Sequence, residues 1–385
     1  MKKLRLTLRL TLNMHLERLQ LTNFKNYQEV DVSFSHNVNC LVGNNGVGKT
    51  NLLDAMYYLS FCKSYFNPID SQNIRSGADF FAIHGMYNIE ESATDTVAVS
   101  CTFQRGQSKK MKYNKKSYAS FAEHIGKLPL VIVTPSDQEL IMGGSEVRRK
   151  FVDGIISQTD HGYLQSLMAY QKALLQRNKL LKQFYENRYF EDDTISIWDE
   201  QLVRYGQPIV ETRRRFLDEF KPLFEQYYYL IHPDARKDEV PSIEYETQFV
   251  ESSMSALLVD AHSRDAHMQY TTVGPHKDDF LLSIGEFAVK RFGSQGQQKT
   301  FLLALKLAQF EYINSHVGTK PILLLDDVFD KLDMLRVSQL VLLVGSERFG
   351  QVFITDTQPG RVQSIFSQAP SMPHRIFTVT DGHIV

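Results

Sequence analysis

Val38-Asn39-Cys40-Leu41-Val42-Gly43-Asn44-Asn45-Gly46-Val47-Gly48-Lys49-Thr50-Asn51-Leu52-Leu53 is the stretch that decides the fold. Its first five residues read as a buried strand running straight into a glycine-rich loop. Gly43, Asn44, Asn45, Gly46, Val47, Gly48, Lys49 and Thr50 fit G-x-x-x-x-G-K-[ST] without a mismatch. After Thr50 the apolar spacing becomes helical, with Leu52, Leu53, Met56, Tyr57 and Leu59 on neighbouring faces. Glycines let successive N–H groups turn inward on the β- and γ-phosphates, and the helix that follows adds its positive end. Lys49 supplies a point charge to those phosphates, and the Thr50 hydroxyl can ligate Mg²⁺. The cofactors implied are ATP and Mg²⁺.

A phosphate loop of this kind needs a carboxylate at the end of a neighbouring buried strand. Ile322-Leu323-Leu324-Leu325-Asp326-Asp327 supplies it, four apolar residues followed by two acids. Asp326 is expected to hold Mg²⁺ directly or through water, and Asp327 to polarise the attacking water as general base, so Asp327 and Lys49 are the candidate catalytic residues. The acidic pair could instead cap the next helix.

Between these motifs lies Phe292-Gly293-Ser294-Gln295-Gly296-Gln297-Gln298-Lys299, ahead of a helical run at 301–310. Ser294, Gly296 and Gln297 at a helix start could form a second phosphate site, although N-caps of this composition are common. The order of phosphate loop, long gap, S-x-G-Q, acidic strand and then Asp330-Lys331-Leu332-Asp333 is that of ABC-type ATPase heads. In such heads the Ser-Gly element of one subunit completes the γ-phosphate site of another.

The 385 residues allow two domains, or one with an insertion. A net charge of -1 confines any nucleic-acid contact to local patches. Cys40, Cys62 and Cys101 lack metal or redox spacing and read as buried thiols in a reducing cytoplasm. No apolar run approaches the roughly 18 to 20 residues of a membrane helix, so no membrane partner is expected. Residues 1–13, with Lys2, Lys3, Arg5 and Arg9, read as a short basic extension and not as a secretory signal.

Strand-like spacing occurs at 19–24, 30–34, 80–87, 96–103 and 128–133. From 147 to 185 and again from 202 to 227 the apolar residues fall at helical spacing, broken by the acidic stretch 191–193. Strands return at 240–245, 269–272, 280–284, 321–325 and 351–355. The expected fold is α/β, an ABC-type P-loop ATPase head split in sequence with an inserted antiparallel helical arm. The expected boundaries are 1–13, 14–145 for the first part of the ATPase lobe, 146–230 for the arm, and 231–385 for the second part.

Residues 105–116 carry Arg105, Lys109, Lys110, Lys112, Lys115 and Lys116 with no acid and with Tyr113 interleaved. This is a candidate DNA backbone contact, and equally a solvated lysine-rich turn. Arg213, Arg214 and Arg215 form a second candidate, but successive helical residues cannot all face one ligand. Arg148 and Arg149 could be structural, and His276 beside Asp278 and Asp279 is more readily structural or near the γ-phosphate than a metal ligand.

From about Met14 to Val385 the sequence resembles the RecF family. The carriers are Leu21-Thr22-Asn23-Phe24-Lys25-Asn26-Tyr27, the phosphate loop continued by Asn51-Leu52-Leu53-Asp54-Ala55, and Arg148-Arg149-Lys150-Phe151-Val152-Asp153. Gln176-Arg177-Asn178, Gly274-Pro275-His276-Lys277-Asp278-Asp279 and Ser294-Gln295-Gly296-Gln297 complete the set. Phe66 stands where the resemblance leads one to expect a basic residue. The resemblance implies an ATP-dependent homodimer that binds gapped or junction DNA, single-stranded DNA included, in replication, recombinational repair and the SOS response. It implies RecO and RecR as partners, help in loading RecA, and a slow, DNA-stimulated ATPase. An ABC-type regulatory ATPase acting on a protein complex without DNA is the alternative.

Overall fold

The computed structural model describes residues 11–89, 96–236, 239–331, 334–346, 348–367 and 372–385. They form two compact units, one drawn from 11–137, 230–233 and 303–385, the other from 138–229 and 234–302. This division differs from the expected boundaries at 145/146 and 230/231, because the segment 234–302 folds with the arm. Lys2, Lys3, Arg5 and Arg9 lie outside the described residues, whereas Leu12 bridges to Thr319.

The first unit contains two sheets. A parallel sheet orders His374–Thr380, Val38–Val42, Val352–Asp356, Ile322–Leu325 and Leu130–Val133, with His383–Ile384 turning back at one edge. An antiparallel sheet orders Tyr27–Ser33, Met14–Phe24, Phe80–Ile89, Thr96–Gln104, Lys110–Tyr113 and Lys116–Ser117. The helix Lys49–Phe61 shares one apolar core with both. Its Leu52, Leu53, Met56 and Leu59 are buried with Leu41, Leu324 and Phe353 of the parallel sheet and with Leu21, Ile83 and Val99 of the other. Burial from both sides explains why this helix is apolar nearly all round, and the strands Ile322–Leu325 and Leu130–Val133 are unbroken apolar runs.

In the second unit the apolar run expected as one helix from 147 to 185 is two, Ser145–Thr159 and His161–Asn187. Asp160 breaks it: its backbone is extended, and its carboxylate accepts the Tyr163 amide at 2.9 Å as an N-cap. The last arm helix, Asp192–Ile231, starts with Asp192 and Asp193 in its first turn, where acids suit the helix dipole. Its direction is set by cross-helix pairs: Tyr163 with Arg213, Tyr170 with Gly206, and Arg177 with Asp199. One index rises as the other falls, so the hairpin is antiparallel.

A small antiparallel sheet of Phe287–Ala288, Asp279–Ile284 and Pro241–Glu246 completes this unit. Residues 269–272, expected as a strand, are a loop instead. Gln269 has a φ of 61° and ends the helix His262–Met268. Beyond it, Thr271 and Thr272 give their amides and hydroxyls to Asn178 and Asp265, leaving none for a ladder.

Candidate nucleotide site

The loop between Val42 and Lys49 is held by a turn far upstream. Gly46 and Gly48 have φ values of 83° and 116°, which side chains tolerate poorly. Asn26 Nδ2 donates to the Val47 carbonyl at 3.0 Å, and the Tyr27 hydroxyl donates to the Gly48 carbonyl at 2.9 Å. A Cβ on Gly48 would stand 2.5 Å from Asn26 Nδ2 and 2.8 Å from the Tyr27 hydroxyl, so this close approach requires glycine. Burial pushes the Tyr27 phenol up, keeping it a neutral donor.

Lys49 is buried, and its Nζ donates to the Gly43 and Asn44 carbonyls at 2.8 and 2.9 Å. Both acceptors are neutral, so anionic phosphate oxygens would make the stronger charge-assisted bonds. Thr50 Oγ1 lies 3.0 Å from each oxygen of Asp326, and the Thr355 hydroxyl donates to the same carboxylate at 2.8 Å. Burial raises the Asp326 carboxyl above its usual range, hydrogen bonds from Thr355 and Thr50 oppose this, and Asp327 next door adds to the rise. A hydroxyl and a buried carboxylate are hard oxygen donors of the kind Mg²⁺ takes. Asp327 has a left-handed backbone, φ 48°, and its amide donates to Thr355 Oγ1 at 2.9 Å. Thr355 therefore ties the two acids to the neighbouring strand. Asp356, one residue on, is locked by Arg361 at 2.7 and 2.8 Å. In the following segment, Val328–Lys331 forms a 3-10 turn, while Leu332 and Asp333 lie outside the described residues.

Ser294, Gly296 and Gln297 belong to the second unit. Ser294 Oγ accepts the Gln297 amide at 3.2 Å while Gln297 Oε1 accepts the Ser294 amide at 2.9 Å, a reciprocal capping box. Ser294 is exposed at the start of the long helix Gln295–Val317.

The basic stretch 105–116 is a hairpin at the end of the antiparallel sheet. Asn114 and Lys115, with φ 46° and 68°, form its two-residue turn. Lys110 and Lys112 alternate with buried Met111 and so share one exposed face, with Arg105, Lys115 and Lys116 also exposed. Lys109 departs from the expectation of a DNA contact. Its Nζ pairs with Asp70 at 2.8 Å and lies 5.1 Å from the Tyr58 ring centre. Arg213 departs likewise: it is buried, paired with Asp153 at 2.9 Å, and donates to the Pro275 carbonyl at 2.8 Å. Arg148 grips Asp279 at 2.7 and 2.8 Å, and Arg149 donates to the Asp278 carbonyl at 2.6 Å. His276 is structural, its ring nitrogens 2.7 Å from the Tyr170 hydroxyl and 3.0 Å from the Thr271 carbonyl. No group of three or more His, Cys, Asp or Glu side chains that could hold a metal ion occurs among the described residues.

Two residues of the site are not evident from the sequence. Asp54, fully buried beneath the phosphate-loop helix, accepts Ser64 Oγ at 2.6 Å and the Tyr65 amide at 2.7 Å, and pairs with Lys25 Nζ at 2.5 Å. Lys25 thereby joins the strand turn that carries Asn26 to the helix, and its ammonium sits 5.4 Å from the Phe66 ring centre. Both lie in motifs readable in sequence, but nothing local pairs them.

The chain is similar to known proteins along nearly its whole length. The family model described as RecF/RecN/SMC N terminal domain matches residues 15–383. The chain is 46% identical over 366 residues to the DNA replication and repair protein RecF of Flavobacterium johnsoniae, covering 95% of this chain and 100% of that one. It is 45% identical over 372 residues to the protein of the same name in Phocaeicola vulgatus, covering 96% and 98%. A solved structure of the recombination mediator protein RecF-ATPrS in the RecFOR pathway superposes with TM-score 0.86 at 29% identity, over 98% of this chain and 99% of that one. An Smc head domain from Pyrococcus furiosus, at 17% identity and TM-score 0.56 over 97% and 96%, shares the fold.

Proposed function

Because the chain belongs to the RecF family of DNA replication and repair proteins, we propose that it is an ATP-dependent DNA-binding switch in the recombinational repair of gapped DNA. The observation that carries the reading is the convergence of Lys49, Thr50 and Asp326 at the end of the parallel sheet. Lys49 exchanges the loop carbonyls for phosphate oxygens, and Thr50 with Asp326 would hold Mg²⁺, which would neutralise charge on the phosphates. Asp327 orients and deprotonates the attacking water. Structural relatives have been solved as RecF-ATP and RecF-ATPrS, which supports ATP as the nucleotide.

Ser294, Gly296 and Gln297 complete the γ-phosphate site of a second copy, so ATP binding joins two chains and slow hydrolysis releases them. The exposed Arg105, Lys110, Lys112, Lys115 and Lys116 neutralise DNA phosphates without reading sequence. The RecFOR pathway named for the solved relative supports RecO and RecR as partners and RecA loading as the outcome. No described helix is long and apolar enough to cross a membrane, and the three cysteines are free and buried, as suits a reducing cytoplasm.

Sedimentation with and without ATP-Mg²⁺, alone and with gapped duplex DNA, tests the reading. An ATP-dependent dimer that co-sediments with DNA is expected. A nucleotide-binding monomer indifferent to DNA would move the function to an ATPase acting on a protein complex.

A further inference from the structure

Shortly before Ser294 the second unit displays two phenylalanines that the described residues leave mostly exposed. Phe287, on the edge strand Phe287–Ala288, is 60% exposed, and Phe292, ending the short helix Val289–Phe292, is 65% exposed. Their rings meet edge-on with centres 5.4 Å apart, so they form one apolar knob and not two stray side chains. Met142 and Leu281, 41% and 44% exposed, lie on elements that pack against the same short helix or strand. Lys290 and Arg291 are exposed within that helix. Two neighbouring phenylalanines left in water beside a polar helix start mark a surface made to be covered, since aromatic side chains with arginine are the groups that dominate interface energetics.

We propose that the Phe287–Phe292 knob is the apolar anchor of the ATP-dependent dimer, packing on the ATP-loaded face of a second copy of this chain. The proposal rests on the dimer reading above and adds to it the residues that make the contact hold. Charge argues for this occupant. Lys290, Arg291 and the amino end of the helix Gln295–Val317 present positive potential, and the polyphosphate held at Lys49 of a second copy is its complement. ATP thus supplies the sign that the surface needs, and the phenylalanines supply the water exclusion that makes those charges effective. Without ATP the facing loop offers no anion, and the contact lacks its electrostatic half.

The test is sedimentation equilibrium of full-length Asp327→Asn protein, with and without ATP-Mg²⁺, as such and carrying Phe287→Ala with Phe292→Ala. Neither ring is buried, so the doubly substituted chain should melt with the parent and bind ATP as a monomer with unchanged affinity. Its ATP-dependent dimer should be weaker by about 10-fold or more, on the scale of interface aromatic truncations. Phe292→Leu alone should recover much of the loss, and Arg291→Glu should weaken the dimer most at low salt. Tyr189→Ala, an exposed aromatic elsewhere in the unit, should leave dimerisation alone. A doubly substituted chain that dimerises like its parent overturns the anchor while leaving the dimer reading intact, and so does one that dimerises normally but loses DNA. A parent chain that stays monomeric with ATP-Mg²⁺ overturns both.

Discussion

Thr50 Oγ1 lies 3.0 Å from both carboxylate oxygens of Asp326, a contact between residues 276 positions apart. A hydroxyl has one proton, so it shares that proton between the oxygens and leaves its lone pairs for a cation. Thr50→Val keeps the shape and removes the oxygen. ATP affinity measured with Mg²⁺ should fall about 10-fold or more, the scale of a lost charged hydrogen bond or ligand, whereas affinity in EDTA should hardly change. Equal losses in both buffers would show that Thr50 serves the loop and not the metal.

The raised carboxyl of Asp326 gives a pH signature. A proton on Asp326 would compete with Mg²⁺ for the same oxygens. Mg²⁺-dependent ATP binding should therefore weaken, as pH falls, earlier than an ordinary carboxylate near about 3.9 would allow. Asp326→Asn should lose the Mg²⁺ enhancement at every pH. An enhancement that persists in Asp326→Asn would place the metal elsewhere.

Lys49 makes two bonds to loop carbonyls that phosphates can replace. Lys49→Ala should weaken ATP binding by more than about 100-fold, since charge-assisted bonds to phosphate contribute roughly 1.5 to 3 kcal/mol each. Titration calorimetry measures the loss, and circular dichroism should remain that of the parent.

How much of this was legible in sequence depends on how local each cause is. The phosphate loop and the strand ending in Asp326 are contiguous patterns, and the structure brings them together as expected. The arm was legible because two faces of helical spacing persist over many turns. The break at Asp160 was not, since one N-cap interrupts the backbone without disturbing the apolar spacing on either side. The strand His374–Thr380, neighbour of the phosphate-loop strand, carried only Phe377 and Val379 as buried alternation and went unread. Lys109 misled because its partner Asp70 comes from a distant turn, and a charge count over 105–116 cannot see it. Gly274-Pro275-His276-Lys277-Asp278-Asp279 was recognised as a motif but is a packing hub, with Arg148, Arg149 and Arg213 converging on its acids and carbonyls.

The hairpin separates two kinds of lysine. Lys110→Glu with Lys112→Glu and Lys115→Glu should leave the melting temperature nearly unchanged, weaken DNA binding and flatten its dependence on salt. Lys109→Glu should instead lower the melting temperature, because it sets a second acid beside Asp70 and Tyr58 in a poorly exposed site. Unchanged DNA affinity in the triple variant would retire the hairpin as a DNA contact.

His276 predicts an acid lability of the second unit. Burial lowers its pKa to about 4, against 6.5 for the free side chain. The neutral ring satisfies both neighbours, since Nε2–H donates to the Thr271 carbonyl and Nδ1 accepts from the Tyr170 hydroxyl. Gly274 permits that packing, for a Cβ there would stand 2.2 Å from the Tyr170 oxygen. Between the two pKa values the unfolded chain binds a proton that the folded chain refuses, so stability rises with pH across that window. The contribution is complete above 6.5 and falls as pH drops toward 4, by about 3 kcal/mol at most on 1.36 kcal/mol per unit. Buried His124 in the first unit, also held at about 4, adds a slope of the same sign. His276→Gln should be less stable at pH 7.5, having lost ring packing, yet should lose less further stability on going to pH 5. Urea melts of both proteins at the two pH values measure this, and parallel losses would mean that His276 is not the group that titrates.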